Sequence, residues 1–171
     1  MEKLFSGQKR LQQKLIIAVI GASQASPRGV ALAEQVGRLL VGQGAVLVCG
    51  GLGGIMEAAS RGCAQAGGEV IGILPGASAA DANPYVSLPI VTDMGHARNV
   101  IIAQTAHALI AIEGEYGTLS EIAIGLKLGK PVVQLDSWAE IPGTLQADSA
   151  EQAIEIIFAA LQGGFINDQR G

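Results

Sequence analysis

Short apolar runs alternate with helix-patterned segments along nearly the whole chain. The runs cover residues 15–20 (LIIAVI), 45–49 (AVLVC), 69–74 (EVIGIL), 88–92, 107–112 and 131–135. Residues 30–41, 55–66, 97–105, 118–128 and 149–161 carry apolar side chains at helical spacing. The strand runs are continuous rather than alternating, as they are when helices cover both faces of a sheet. The alternation predicts one α/β unit, a doubly wound parallel β-sheet with right-handed crossovers and helices on both faces. No repeat, low-complexity tract or interdomain linker interrupts it. Residues 14–171 are therefore expected to form one domain, preceded by a polar arm over residues 1–13.

Composition narrows the class. Of 171 residues, 49% are hydrophobic and only 15% charged, which suits the core of one domain and leaves helix surface to bury against another subunit. A homo-oligomer, dimer or tetramer, is expected, with the run Val100-Ile101-Ile102 as its contact. Lys and Arg number 11 against 15 Asp and Glu, with no basic patch interleaved by aromatics, so no nucleic-acid partner is expected. No apolar run approaches the ~18 residues that span a bilayer, so no membrane partner is expected either. The opening MEKLFSGQKRLQQK lacks the apolar centre of a signal peptide. Cys49 and Cys63 have neither CxxC nor zinc spacing. They read as reduced thiols of a cytoplasmic protein without a metal site.

In such sheets ligands bind outside the carboxyl ends of the strands. That rule gathers the loops 21–29, 50–54, 75–76 and 113–117, with Asp136. The first, GASQASPRG, offers Gly21, Ser23 and Ser26 ahead of a helix, either to a phosphate or as helix caps. Its spacing is not GxGxxG, and no acidic residue ends the second strand to bond a ribose, so a nicotinamide dehydrogenase is disfavoured. The second loop places Gly50, Gly51, Gly53 and Gly54 between strand and helix. Four glycines cost backbone entropy, so they point either to tight turns or to close approach by a ligand. In the third segment Arg98 and Asn99 begin a helix, where a cation opposes the dipole by roughly 0.3–1 kcal/mol. An anionic partner follows, either a ligand phosphate or one of Glu113, Glu115 and Glu121. His96 nearby reads as an acid–base group or a passive exposed side chain.

The loop IEGEYGTLSE sets a puzzle, because a strand–loop–helix of this shape suits an anion yet carries three carboxylates. Thr118-x-x-Glu121 reads as a capping box, which accounts for Glu121 without any ligand. Glu113 and Glu115 have no such explanation. Two unit charges about 6 Å apart repel by roughly 2.8 kcal/mol at an effective dielectric near 20. A helix N-terminus offers an anion at most ~2 kcal/mol. The expectation is that Gly114, Gly117 and Thr118 hold a sugar, while the phosphate lies toward Arg98 and the glycine loop.

The segments GGLGGIMEAASRGCAQAGGEVIGILPG, ANPYV, MGHARN and GEYGTLSEIA, in that order over about residues 15–135, carry a resemblance. Together they resemble the molybdenum-cofactor carrier protein-like group of the Lonely Guy (LOG) or "lysine decarboxylase-like" superfamily. The resemblance implies a Rossmann-like fold, a homo-oligomer, and a carrier that binds molybdenum cofactor without catalysis. The LOG enzymes of that superfamily are phosphoribohydrolases, which release base and ribose 5-phosphate from nucleoside 5′-monophosphates. Their signature, PGGxGTxxE with an upstream Arg-Lys, falls here on Gly117, Thr118, Glu121 and Arg98. In that enzyme reading, Glu121 steadies an oxocarbenium-like ribose and Arg98 orients the nucleotide. The signature's Pro, second Gly and Lys are Glu113, Glu115 and Asn99 in this chain, and ARN resembles the carrier group. No pyridoxal-phosphate lysine is identifiable, since Lys127 and Lys130 fall at a helix end. The chain therefore reads as a carrier-type protein for a phosphorylated nucleotide-like ligand, with no cofactor required and a nucleotide or molybdopterin as what it holds. The alternative is a LOG-type phosphoribohydrolase.

Overall fold

The structure is a computed structural model that describes residues 13–137 and 140–168. The polar arm expected over residues 1–13 lies, except for Gln13, outside the described residues. Among the described residues, seven strands form one parallel sheet: β1 (Ile16–Gly21), β2 (Val46–Cys49), β3 (Val70–Leu74), β4 (Leu88–Val91), β5 (Ala108–Ile112), β6 (Val132–Leu135) and β7 (Leu145–Ala147). The helices are α1 (Pro27–Gly42), α2 (Ile55–Gln65), α3 (Asn99–Thr105), α4 (Tyr116–Lys127) and α5 (Ala150–Asp168). The strand order is β4-β3-β2-β1-β5-β6-β7. The order reverses between β1 and β5, which makes that junction the topological switch point.

Helices cover both faces, as the continuous apolar runs predict. On one side α1, α2 and α5 pack on Ile17, Val19, Leu47, Ile110 and Val133. On the other, α3 and α4 pack on Ala18, Ile20, Val48, Leu109 and Val132. Helices α1 and α2 touch almost backbone to backbone. A β-carbon at Gly37 would stand 2.0 Å from the Ala59 carbonyl oxygen, and one at Gly62 would stand 1.9 Å from that of Glu34. The Ile55 N–H donates to the Ala22 carbonyl at 3.0 Å, which fixes the start of α2, and with it the glycine loop, against the end of β1.

Four expectations change. Strand β7 is additional; its three residues are too short to register as an apolar run. Strand β4 is exposed along its whole length, because it is the sheet edge. Helix α1 begins at Pro27, three residues earlier than its apolar pattern, since Ser26 caps it and proline suits the first turn. Helix α4 begins at Tyr116 with Glu115 in the cap position, so Thr118 lies inside the first turn and is no cap. The capping box is thereby overturned, and Glu121 needs another account. Among the described residues, no helix is long and apolar enough to cross a membrane.

Candidate functional site

Glu121 turns inward from the second turn of α4, and Arg98 meets it from the residue before α3. Their side chains approach to 3.9 Å between Arg98 Nη1 and a Glu121 carboxylate oxygen, too long for a hydrogen bond. Both residues are buried, Arg98 at 8% and Glu121 at 6% relative exposure. Burial pushes the Glu121 carboxyl up to about 8, and the nearby Arg98 only partly opposes it. Burial lowers the Arg98 guanidinium, with Glu121 and then Cys49 opposing the shift. The pair is desolvated and incompletely joined.

Neighbours hold both terminal nitrogens of the Arg98 fork. Nη1 donates to Asn99 Oδ1 at 2.5 Å and Nη2 to the Gly50 carbonyl at 3.4 Å. Nε is buried and, among the described residues, has no hydrogen-bond partner. An unsatisfied buried donor of this kind costs stability until an acceptor reaches it. Asn99 ties α3 to α4, its amide donating to Ser120 Oγ at 3.0 Å and to the Gly117 carbonyl at 3.4 Å. The Ser120 hydroxyl also donates to Gly117 at 2.6 Å.

These groups border a cavity of about 160 Å³ at the switch point. Of the residues singled out in the sequence, Gly21, Ser23, Gly50, Arg98, Asn99, Gly117, Thr118 and Glu121 line it, as do His96 and Glu115. Ile20, Leu52 and Met56 supply an apolar wall that the sequence reading passed over, although Leu52 and Met56 lie within or beside the glycine loop. Gly51, Gly53, Gly54 and Gly114 are not among the lining residues. No side-chain hydrogen bond among the described residues caps the start of α4, and Gly117 and Thr118 of its first turn line the wall. Among the described residues, no cluster of three or more His, Cys, Asp or Glu could hold a metal ion.

The glycine loop has mostly an internal explanation. A β-carbon at Gly50 would stand 2.7 Å from Arg98 Nη2, so Gly50 makes room for the guanidinium. Gly51 and Gly54 adopt positive φ angles of 74° and 66°. A β-carbon at Gly54 would also strike the Ala22 carbonyl oxygen at 2.3 Å. At Gly53 the nearest atom, Glu57 Oε2, is 4.0 Å away, so nothing in the fold requires a glycine there.

The two carboxylates that the sequence left unexplained also find partners. Glu113 reaches from the tip of β5 to the start of α1, where it accepts the Ser26 N–H at 3.1 Å and the Ser26 hydroxyl. Glu115 accepts a long hydrogen bond, 3.5 Å, from the Ser23 hydroxyl at the cavity edge. Neither is the partner of Arg98; among the three glutamates that place belongs to Glu121.

Known proteins are similar to this chain in sequence and in fold. A protein of unknown function from Archaeoglobus fulgidus is 45% identical over 138 residues, which span 81% of this chain and 91% of that protein. The molybdenum cofactor binding protein of the phototrophic bacterium Rippkaea orientalis superposes with a TM-score of 0.83 at 35% identity, covering 88% of this chain and 99% of its own. The molybdenum cofactor carrier protein of Chlamydomonas reinhardtii gives a TM-score of 0.79 at 31% identity, with coverage of 88% and 99%. Residues 14–161 match the sequence profile of the SLOG cluster4 family, and the chain belongs to that family.

Proposed function

We propose that this protein is a carrier-type binding protein for a phosphorylated, nucleotide-like ligand, with molybdenum cofactor the leading candidate. One observation carries the reading: Arg98 Nε, buried and without a hydrogen-bond partner among the described residues, belongs to a side chain that lines a cavity together with Gly117 and Thr118 from the first turn of α4. A phosphate there gains a charge-assisted hydrogen bond from Arg98 and the positive end of a 12-residue helix. The sugar or pterin portion lies toward Ser23 and Glu115, whose polar side chains suit hydroxyl and amine groups. The two structural relatives named for molybdenum cofactor support that choice of ligand.

The phosphoribohydrolase alternative asks Glu121 to face a cationic ribose as a carboxylate. With its carboxyl pushed up to about 8 by burial, Glu121 is poorly suited to that carboxylate role at neutral pH. Equilibrium dialysis against a molybdopterin ligand tests the proposal. The wild-type protein should retain the pterin, and Arg98→Ala should lose at least about tenfold in affinity. Equal retention by both proteins would remove Arg98 from the site.

A further inference from the structure

In doubly wound sheets, the N-terminus of the helix after the first strand receives the pyrophosphate of a dinucleotide. Here that position already holds an anion. The Glu113 carboxylate accepts the backbone N–H of Ser26, the N-cap of α1, at 3.1 and 3.3 Å through its two oxygens, and accepts the Ser26 hydroxyl as well. Ser26 Oγ in turn accepts the Gly29 N–H at 3.0 Å.

The surrounding chain is shaped to seat this carboxylate. A β-carbon at Gly29 would stand 2.3 Å from a Glu113 carboxylate oxygen, so only glycine leaves the space. Glu113 itself adopts φ 53°, a left-handed conformation that is costly for a residue with a β-carbon. The Ser137 hydroxyl donates to its carbonyl at 2.6 Å and holds that turn. A glutamate free to leave would not need a strained backbone, a matched glycine and a tethered carbonyl.

We propose that Glu113 is a specificity-determining residue: its carboxylate occupies the N-terminus of α1 and excludes ligands that require a pyrophosphate there. The cavity then accepts a ligand with a single phosphate end on the Arg98 side and rejects dinucleotides. This deepens the binding reading above and rests on it for the ligand's class.

The test is a titration of ¹⁵N-labelled protein with inorganic pyrophosphate and with NAD⁺, following the amides of Ser26 and Gly29. In the wild type these amides should not move. In Glu113→Gly, which removes the carboxylate and suits the left-handed turn, they should shift, and NAD⁺ affinity should rise at least about tenfold. Glu113→Asn tolerates the same backbone and has a side chain one methylene shorter, so it provides a second variant should the glycine loosen the loop. Wild-type amides that already respond would overturn the proposal, as would folded variants that show no gain. A parallel titration with AMP reads Gly117 and Thr118. Silence there counts against the mononucleotide site at Arg98 and leaves the result at α1 to be judged separately.

Discussion

Arg98 and Glu121 face each other across the switch point at 3.9 Å, both buried, with the guanidinium anchored to Asn99 and Gly50 rather than to the carboxyl group. The arrangement leaves Arg98 Nε without a hydrogen-bond partner among the described residues and Glu121 with a raised pKa. The energetic consequences of this pair, and of the groups that position it, can be measured.

The first consequence is a pH dependence. The carboxyl of Glu121 stands at about 8 in the folded protein against an ordinary 4.5, so the folded state binds its proton more tightly than the unfolded state. Its contribution to stability is therefore fully present below pH 4.5 and is lost as pH rises toward about 8. Denaturant unfolding across this window should show the wild type weakening relative to Glu121→Gln. Parallel profiles would mean that Glu121 is ionised in the folded protein.

Two glycines of one loop should respond in opposite ways. Alanine at Gly50 meets flexible atoms, Arg98 Nη2 and Met56 Sδ, both at 2.7 Å. Gly50→Ala should fold with a stability change within about 1 kcal/mol but displace the guanidinium and weaken ligand binding. Gly54→Ala places a β-carbon against backbone at φ 66°, and should cost roughly 2–3 kcal/mol in thermal or denaturant unfolding.

Lys130 positions the site from a distance. Its ammonium donates to the carbonyls of Ala103, Gln104 and Ala106 at 2.7, 2.6 and 2.5 Å, closing the carboxyl end of α3. Burial lowers its pKa. Lys130→Met should destabilise the protein by about 1–3 kcal/mol in denaturant unfolding, while binding falls less than in Arg98→Ala.

Assembly is a further expected outcome. Leu88, Ile90 and Val91 of the edge strand, with Met94 and Val100, are all at least 40% exposed. Light scattering coupled to size exclusion should find a homo-oligomer, and the double variant Leu88→Glu, Val100→Glu should shift it toward monomer. A monomeric wild type would leave this apolar edge without the role assigned to it.

The sheet was legible because LIIAVI, AVLVC and ALIAI are buried on both faces and so declare themselves without context. Strand β7 was not, since its residues Leu145 and Gln146 are exposed and only Ala147 is buried. Arg98 broke the helix-dipole rule locally, and that breach left its partner open between a ligand phosphate and one of three glutamates; of the three, Glu121 is the one beside it. Thr118-x-x-Glu121 misled because the same spacing serves a capping box and an inward-facing residue of the second turn. Only the actual start of α4 at Tyr116 separates the two. The partner of Glu113 lies 87 residues away at Ser26, a distance that no local pattern spans.

The most direct test of the central claim is proton NMR of a mixture of nucleoside 5′-monophosphates, recorded with the wild-type protein and with Arg98→Ala. The binding account predicts selective broadening of nucleotide signals by the wild type, none with the variant, and no new resonances over time. Growth of free-base signals with the wild type, absent in the variant, would contradict it and establish N-glycosidic hydrolysis at this site.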